Sequence, residues 1–131
     1  MRPKKKIEFL TEVELEFMTV LWRLSEATVR DVLDELTPVR PLAYTSAATI
    51  MRILEQKGFV ESTKRGKSLS YRALLAKDDY QNRALRDLSQ KLFDDTPATL
   101  VARLVDDGGL SEDALEEIRD MLDRRLENGS D

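Results

Sequence analysis

The 131-residue chain contains no cysteine. Disulfides, thiolate metal sites and cysteine nucleophiles are therefore excluded. It contains no histidine either. That removes the commonest general base and the commonest transition-metal ligand. No apolar run approaches the roughly 18 residues that a membrane-spanning helix needs, so no membrane insertion is expected. Glycine is scarce, and Gly108-Gly109 end a helical pattern instead of forming a GxGxxG phosphate loop. The acidic pairs Asp78-Asp79, Asp94-Asp95 and Asp106-Asp107 sit at the ends of helical patterns, with no partner base. Neither enzymatic activity nor a cofactor or metal is expected. Met1-Arg-Pro-Lys-Lys-Lys6 is followed by Ile-Glu-Phe and not by an apolar segment, so it does not read as a secretory signal. The expected compartment is the cytoplasm.

What is present is unevenly placed charge. Residues 1–75 hold 13 Lys and Arg against 10 Asp and Glu, a net +3, while residues 76–131 hold 8 against 15, a net −7. The basic part suits a polyanion and the acidic part does not. A hydrophobic share of 41% is enough for a core, and the length predicts one domain, or one small domain with a helical appendage. The expected division is a domain over 1–75 and a helical region over 76–131. Residues 1–9 are basic, and read either as a loose tail or as an arm that touches the DNA backbone or minor groove.

The first helix starts at Thr11, where Thr11 and Glu14 form a capping-box pattern and Leu10 with Leu15 matches a hydrophobic staple. Val13, Phe17, Val20, Leu21 and Leu24 then recur at helical spacing and predict its core face. The second helix starts at Thr28 after the break Ser25-Glu-Ala, buries Val29, Val32, Leu33 and Leu36, and ends before Pro38. The third is expected to be capped by Thr45 and to run to about Lys57, where Gly58 closes it. Ala47, Ile50, Met51 and Leu54 fall on one face of it; Thr45, Ser46, Thr49 and Arg52 fall on another.

Two alternating runs follow, Phe59–Lys64 and Ser68–Leu74, which predict a hairpin turning at Arg65-Gly66-Lys67. Its cations Lys64, Arg65, Lys67 and Arg72 outnumber Glu61. Three helices and then a basic hairpin is the order of a winged helix-turn-helix. The predicted fold class is mainly α with a small β-hairpin, a winged helix followed by a helical dimerisation region. In that geometry the third helix enters the major groove, which is wide enough for one helix. Arg52 is the one long cation on its outer face, while Thr45, Ser46 and Thr49 suit phosphates or thymine methyls. Lys64, Arg65 and Lys67 would neutralise phosphates beside the groove and make binding strongly salt-dependent. Tyr71 and Trp22 read as packing residues.

Three further amphipathic helices follow. Tyr80, Ala84, Leu88 and Leu92 stripe the first. Leu100, Val101, Leu104 and Val105 stripe the second, which begins at Thr96-Pro97. Leu115, Ile118, Leu122 and Leu126 stripe the third, capped by Ser111. About fifty residues with so few stripes are a thin basis for an independent core. Either the helices pair with a second copy as a two-fold dimer, or they fold back on the winged helix. The dimer reading assigns Leu88, Leu92, Leu100, Leu104, Leu115, Ile118 and Leu122 to the interface.

Several separated segments carry a family resemblance. Leu10-Thr-Glu-Val-Glu-Leu-Glu-Phe-Met-Thr-Val-Leu-Trp22, Ala27-Thr-Val-Arg-Asp-Val32, Leu42-Ala-Tyr-Thr-Ser46, Leu54-Glu-Gln-Lys-Gly-Phe-Val60 and Leu110-Ser-Glu-Asp-Ala-Leu-Glu-Glu-Ile-Arg119 closely resemble the penicillinase-repressor family (BlaI/MecI type). The resemblance spans about residues 9–126. It implies a homodimeric repressor that occupies palindromic operator DNA near promoters, with Thr45, Ser46, Thr49 and the wing cations at the DNA. It also raises a receptor or protease as the inducing partner. Members that respond to β-lactams are cut at an Asn-Phe bond, where this chain reads Arg103-Leu104, which counts against cleavage. The copper-responsive branch carries a cysteine cluster that this chain lacks. Because fold alone does not fix function, and the isoelectric point of about 5.0 is acidic, the alternative is a winged-helix module that binds a protein instead of DNA.

Overall fold

The computed structural model describes residues 9–129. Residues 1–8 of the basic arm, and residues 130–131, lie outside the described residues. The element order is α1 (Glu12–Leu24), β1 (Glu26–Thr28), α2 (Val29–Leu36), α3 (Tyr44–Gln56), β2 (Val60–Arg65), β3 (Ser68–Ala73), α4 (Lys77–Leu92), α5 (Pro97–Asp107) and α6 (Glu112–Asn128). Two compact units divide the chain, one ending at Ala84 and one beginning at Leu85, so the division falls inside α4.

In the first unit the helix starts follow from local chemistry. The Thr11 hydroxyl accepts from the Glu14 N–H at 3.1 Å and the Glu14 carboxylate accepts from the Thr11 N–H at 2.9 Å. Thr28 and Asp31 repeat this reciprocal arrangement at the start of α2. Each pair satisfies two of the backbone donors that a helix start leaves open. Gly58 follows α3 at a φ of 87°, the left-handed conformation that closes a helix and that glycine adopts without strain.

The core lies between the three helices and the sheet. Phe17, Met18, Leu21, Val32, Met51, Leu54 and Val60 are its largest fully buried side chains. Each stabilises the fold by about 1.5–3 kcal/mol relative to exposure. Leu24, expected in the core, is exposed, while Met18, outside the expected core face, is fully buried. Tyr80 on α4 completes this core from outside the expected domain. Its ring lies 6.0 Å from those of Trp22 and Phe59, and its hydroxyl accepts from the Leu10 N–H at 3.0 Å. The Trp22 indole donates to the Leu75 carbonyl at 2.9 Å.

The sheet has three strands, in the order β1-β3-β2, all antiparallel. The hairpin was expected; β1 was not. Glu26-Ala-Thr28 is too short to show an alternating pattern, and its partners are Arg72, Tyr71 and Ser70, far along the chain. The turn holds two residues, because Arg65 pairs with Ser68. Gly66 takes its first position at a φ of 63°, which two-residue hairpin turns require.

In the second unit, Ser89 and Leu100 are the buried residues among those described. Ser111 caps α6, its hydroxyl accepting from the Ala114 N–H at 3.1 Å. No helix among the described residues is long and apolar enough to cross a membrane.

Candidate nucleic-acid interface

α3 carries the centre of the candidate interface. Ala47, Met51 and Leu54 are fully buried on one side. Thr45, Ser46, Thr49 and Arg52 are all exposed on the other. Positions 45, 49 and 52 recur at helical spacing, so they share a face, and Ser46 flanks it. The Thr49 hydroxyl donates to the Thr45 carbonyl at 3.0 Å, which leaves its oxygen as an acceptor. Thr45 is not the cap. The helix begins at Tyr44, so Ala43 takes the cap position in extended backbone without a side-chain acceptor. Thr45 is thereby placed in the first turn, with its side chain free of capping.

Two contacts fix α3 to its surroundings. Lys57 at its end places its ammonium 2.9 and 3.0 Å from the two carboxylate oxygens of Glu14 on α1. Burial pushes the Glu14 carboxyl up, but the Thr11 N–H and Lys57 together outweigh it and hold the group below its ordinary value. On the sheet side, the Ser62 hydroxyl donates to Glu55 at 2.8 Å. Tyr71 is buried, and its phenol is raised first by burial, then by the charge of Glu55 and by Tyr44, with Arg52 acting against them.

The register of the sheet separates the wing cations. Alternate residues of a strand face opposite sides. Lys64 therefore shares the face of Ser62 and Tyr71, the face turned to α3. Arg65 shares the opposite face with Glu61, and its guanidinium lies 3.1 Å from the Glu26 carboxylate on β1. Glu26 also accepts from the Ser70 hydroxyl at 2.6 Å. That hydroxyl, and then Arg65, hold the Glu26 carboxyl below its ordinary value. Arg72 pairs with Glu61. Among the described residues no ion pair engages Lys64, Lys67 or Arg52. All the expected interface residues of the wing and α3 lie in the first unit.

A model of the family described as penicillinase repressor matches residues 10–124. The chain belongs to that family. Among its relatives is the methicillin resistance regulatory protein MecI of Staphylococcus aureus, 24% identical over 116 residues that cover 88% of this chain and 94% of that protein. The penicillinase repressor of Bacillus licheniformis is 24% identical over 119 residues, covering 91% and 93%. Among the similar solved structures are two of BlaI. The DNA binding domain of the repressor BlaI has a TM-score of 0.51 at 28% identity, covering 59% of this chain and 94% of that one. The Bacillus licheniformis BlaI monomeric form in complex with the blaP half-operator has a TM-score of 0.50 at the same identity and coverage. The expected family and the winged-helix fold are both borne out.

In this penicillinase repressor family member, the residues expected at a dimer interface differ in accessibility. Leu88, Leu92, Leu104 and Leu122 are exposed, Leu115 and Ile118 are half-buried, and Leu100 is already buried within a single chain. Arg103 and Leu104 lie inside α5, both exposed. Sequence reasoning missed Glu26 and Ser70, which engage the wing, because a strand of three residues carries no pattern. It also missed Arg30 and Tyr44, although a cation in the first turn of α2, where acids are favoured, is a readable signal.

Proposed function

We propose that the protein is a transcriptional repressor that binds double-stranded DNA as a homodimer at palindromic operators in the cytoplasm. The winged unit supplies the DNA contacts and the helical unit the dimerisation. The observation that carries this reading is the division of α3: Ala47, Met51 and Leu54 are buried, while Thr45, Ser46, Thr49 and Arg52 are exposed beside the cationic wing. A helix of this kind lies in a major groove with its first residues toward base edges. Arg52 can fork onto a guanine, and the hydroxyls of Thr45, Ser46 and Thr49 accept or donate at phosphates and bases. Lys64 and Lys67 are the wing cations available to phosphates, and Arg65 joins them if a phosphate displaces Glu26.

Family membership supports repression, and the half-operator complex of the similar BlaI structure supports DNA as the ligand. The exposed leucines of α4, α5 and α6 support dimerisation, since large apolar side chains left in water gain free energy when a partner covers them. Two copies present two recognition helices, which matches a two-fold operator.

The test is an anisotropy titration of the full chain against duplexes spanning the DNA upstream of its own gene. Binding is expected at low salt and should fall steeply as salt rises. Arg52→Ala should relax sequence preference at one base position. A dimer that binds none of these duplexes at low salt overturns the reading in favour of a protein-interaction module.

A further inference from the structure

We infer that Arg30 and Tyr44 form a phosphate-binding shelf at the edge of the DNA interface, with Arg30 as the contacting group and Tyr44 as its positioning residue. The inference rests on the DNA-binding reading and extends it to α2. The Arg30 guanidinium carbon lies 5.0 Å from the centre of the Tyr44 ring, within cation–π range. Arg30 is the second residue of α2 and Tyr44 the first of α3, so the contact joins the first turns of the two helices of the helix-turn-helix. Tyr44 directly precedes Thr45 and Ser46 of the exposed face. In this motif the first helix crosses the DNA backbone while the second enters the groove. A cation at the start of α2 therefore stands where phosphates pass.

Folding does not account for either side chain well. Arg30 sits in the first turn of α2, where the helix dipole disfavours a positive charge. Among the described residues no carboxylate forms an ion pair with it. Tyr44 leaves 48% of its surface exposed, so its ring is not a core element. What the pair achieves is orientation. A guanidinium laid on an aromatic face keeps its N–H edge open, and that edge matches the oxygens of a phosphate in bidentate fashion. The stacking also removes part of the rotamer freedom that a lone surface arginine would lose on binding.

The test uses the full chain and a long mixed-sequence duplex, with anisotropy recorded across a potassium chloride series. Mixed sequence suffices because a phosphate contact is sequence-independent. Arg30→Gln and Arg30→Ala should each lower the slope of log K against log salt by about 0.9, which is about an eightfold loss of affinity at 0.1 M salt. Tyr44→Phe should bind as the wild type does, because it keeps the ring. Tyr44→Leu should bind less tightly, with folding confirmed by circular dichroism. A stabilising role alone would lower the melting temperature without moving the slope. If both Arg30 variants keep the wild-type slope while Lys67→Ala lowers it, the shelf is wrong and the DNA reading stands. If Tyr44→Leu binds as tightly as Tyr44→Phe, the positioning role is overturned. If the wild type itself does not bind at low salt, both readings fall together.

Discussion

Arg65 at the tip of the wing lies against Glu26, on the far strand of the sheet, with 3.1 Å between guanidinium and carboxylate. The link crosses β3, whose Ser70 hydroxyl bonds the same carboxylate. A wing cation that would meet DNA is therefore already occupied by an acid of its own protein. For Arg65 to neutralise a phosphate, the phosphate must take the place of Glu26. The net gain from that exchange is smaller than for an unpaired lysine, since one ion pair replaces another. Lys64 and Lys67 have no such competitor among the described residues.

The consequence is measurable. Glu26→Gln keeps an acceptor for Ser70 and removes the charge that holds Arg65. It should tighten binding to DNA of any sequence and steepen the salt slope by about 0.9, the contribution of one added phosphate contact. Arg65→Ala alone should change the slope little, and should cancel the gain when combined with Glu26→Gln. A salt series on the three variants checks this. An unchanged slope in Glu26→Gln would show that Arg65 stays away from the backbone.

The two faces of α3 should separate stability from binding. Met51 and Leu54 are fully buried, so Met51→Ala or Leu54→Ala should cost about 2–5 kcal/mol, as truncation of packed side chains does. Thr49 is exposed, and Thr49→Ala should change stability by no more than about 0.5 kcal/mol. It should nonetheless weaken operator binding. Urea unfolding read beside DNA titration distinguishes the faces. Equal destabilisation by Thr49→Ala and Leu54→Ala would contradict the division.

The ends of the elements were legible in the sequence because their chemistry is local. Thr11 with Glu14 acts over three residues, Thr28 marks the start of α2 by itself, and Gly58 and Gly66 act at single positions. What was not legible depends on pairs distant along the chain. Glu26 meets Ser70 and Arg65 only once β1 pairs with β3, and three residues cannot announce a strand. The sequence places the end of α3 at about Lys57, but the partner of Lys57, Glu14, lies two helices earlier. Tyr80 kept helical spacing with Leu88 and Leu92, and spacing alone cannot say that the stripe divides between two units. Thr45 met the chemistry of a cap, yet the helix starts one residue before it. The exposed face of α3 was readable throughout, because periodicity within one helix defines it.

Acid should expose the role of Glu14. Its carboxyl is buried, bonded by the Thr11 N–H and paired with Lys57, and its folded value lies below the unfolded one. For a group depressed by folding, the stabilisation is fully present above the unfolded value. It is lost as pH falls through the folded value. Glu14→Gln should therefore flatten part of the acid limb of the stability curve. At neutral pH it should destabilise the fold by about 1–3 kcal/mol, since it leaves Lys57 without its counter-charge. Thermal melts between neutral and acidic pH check both statements. An unaltered pH dependence in the variant would assign the acid sensitivity to other carboxylates, such as Glu16, which the Arg40 guanidinium at 2.6 Å holds below its ordinary value.

The helical unit supplies the last prediction. Leu104 on α5 and Leu122 on α6 leave 50% and 54% of their surface exposed in a single chain. Full burial of a side chain of this size is worth about 1.5–3 kcal/mol over full exposure, so a copy that covers the remaining half of each gains about half of that per leucine, and several together favour a dimer. Leu104→Glu and Leu122→Glu place a charge on that surface and should yield monomers in sedimentation equilibrium. The winged unit should keep its fold, because its core draws on Phe17, Met51, Tyr80 and their neighbours and on neither leucine. DNA affinity should drop with the dimer, because two linked recognition helices bind with an effective concentration that one lacks. Leu100 is the internal control. It is buried in one chain at 8% exposure, so Leu100→Ala should lower stability before it affects association. Dimers that persist in both glutamate variants would move the interface off these faces of α5 and α6.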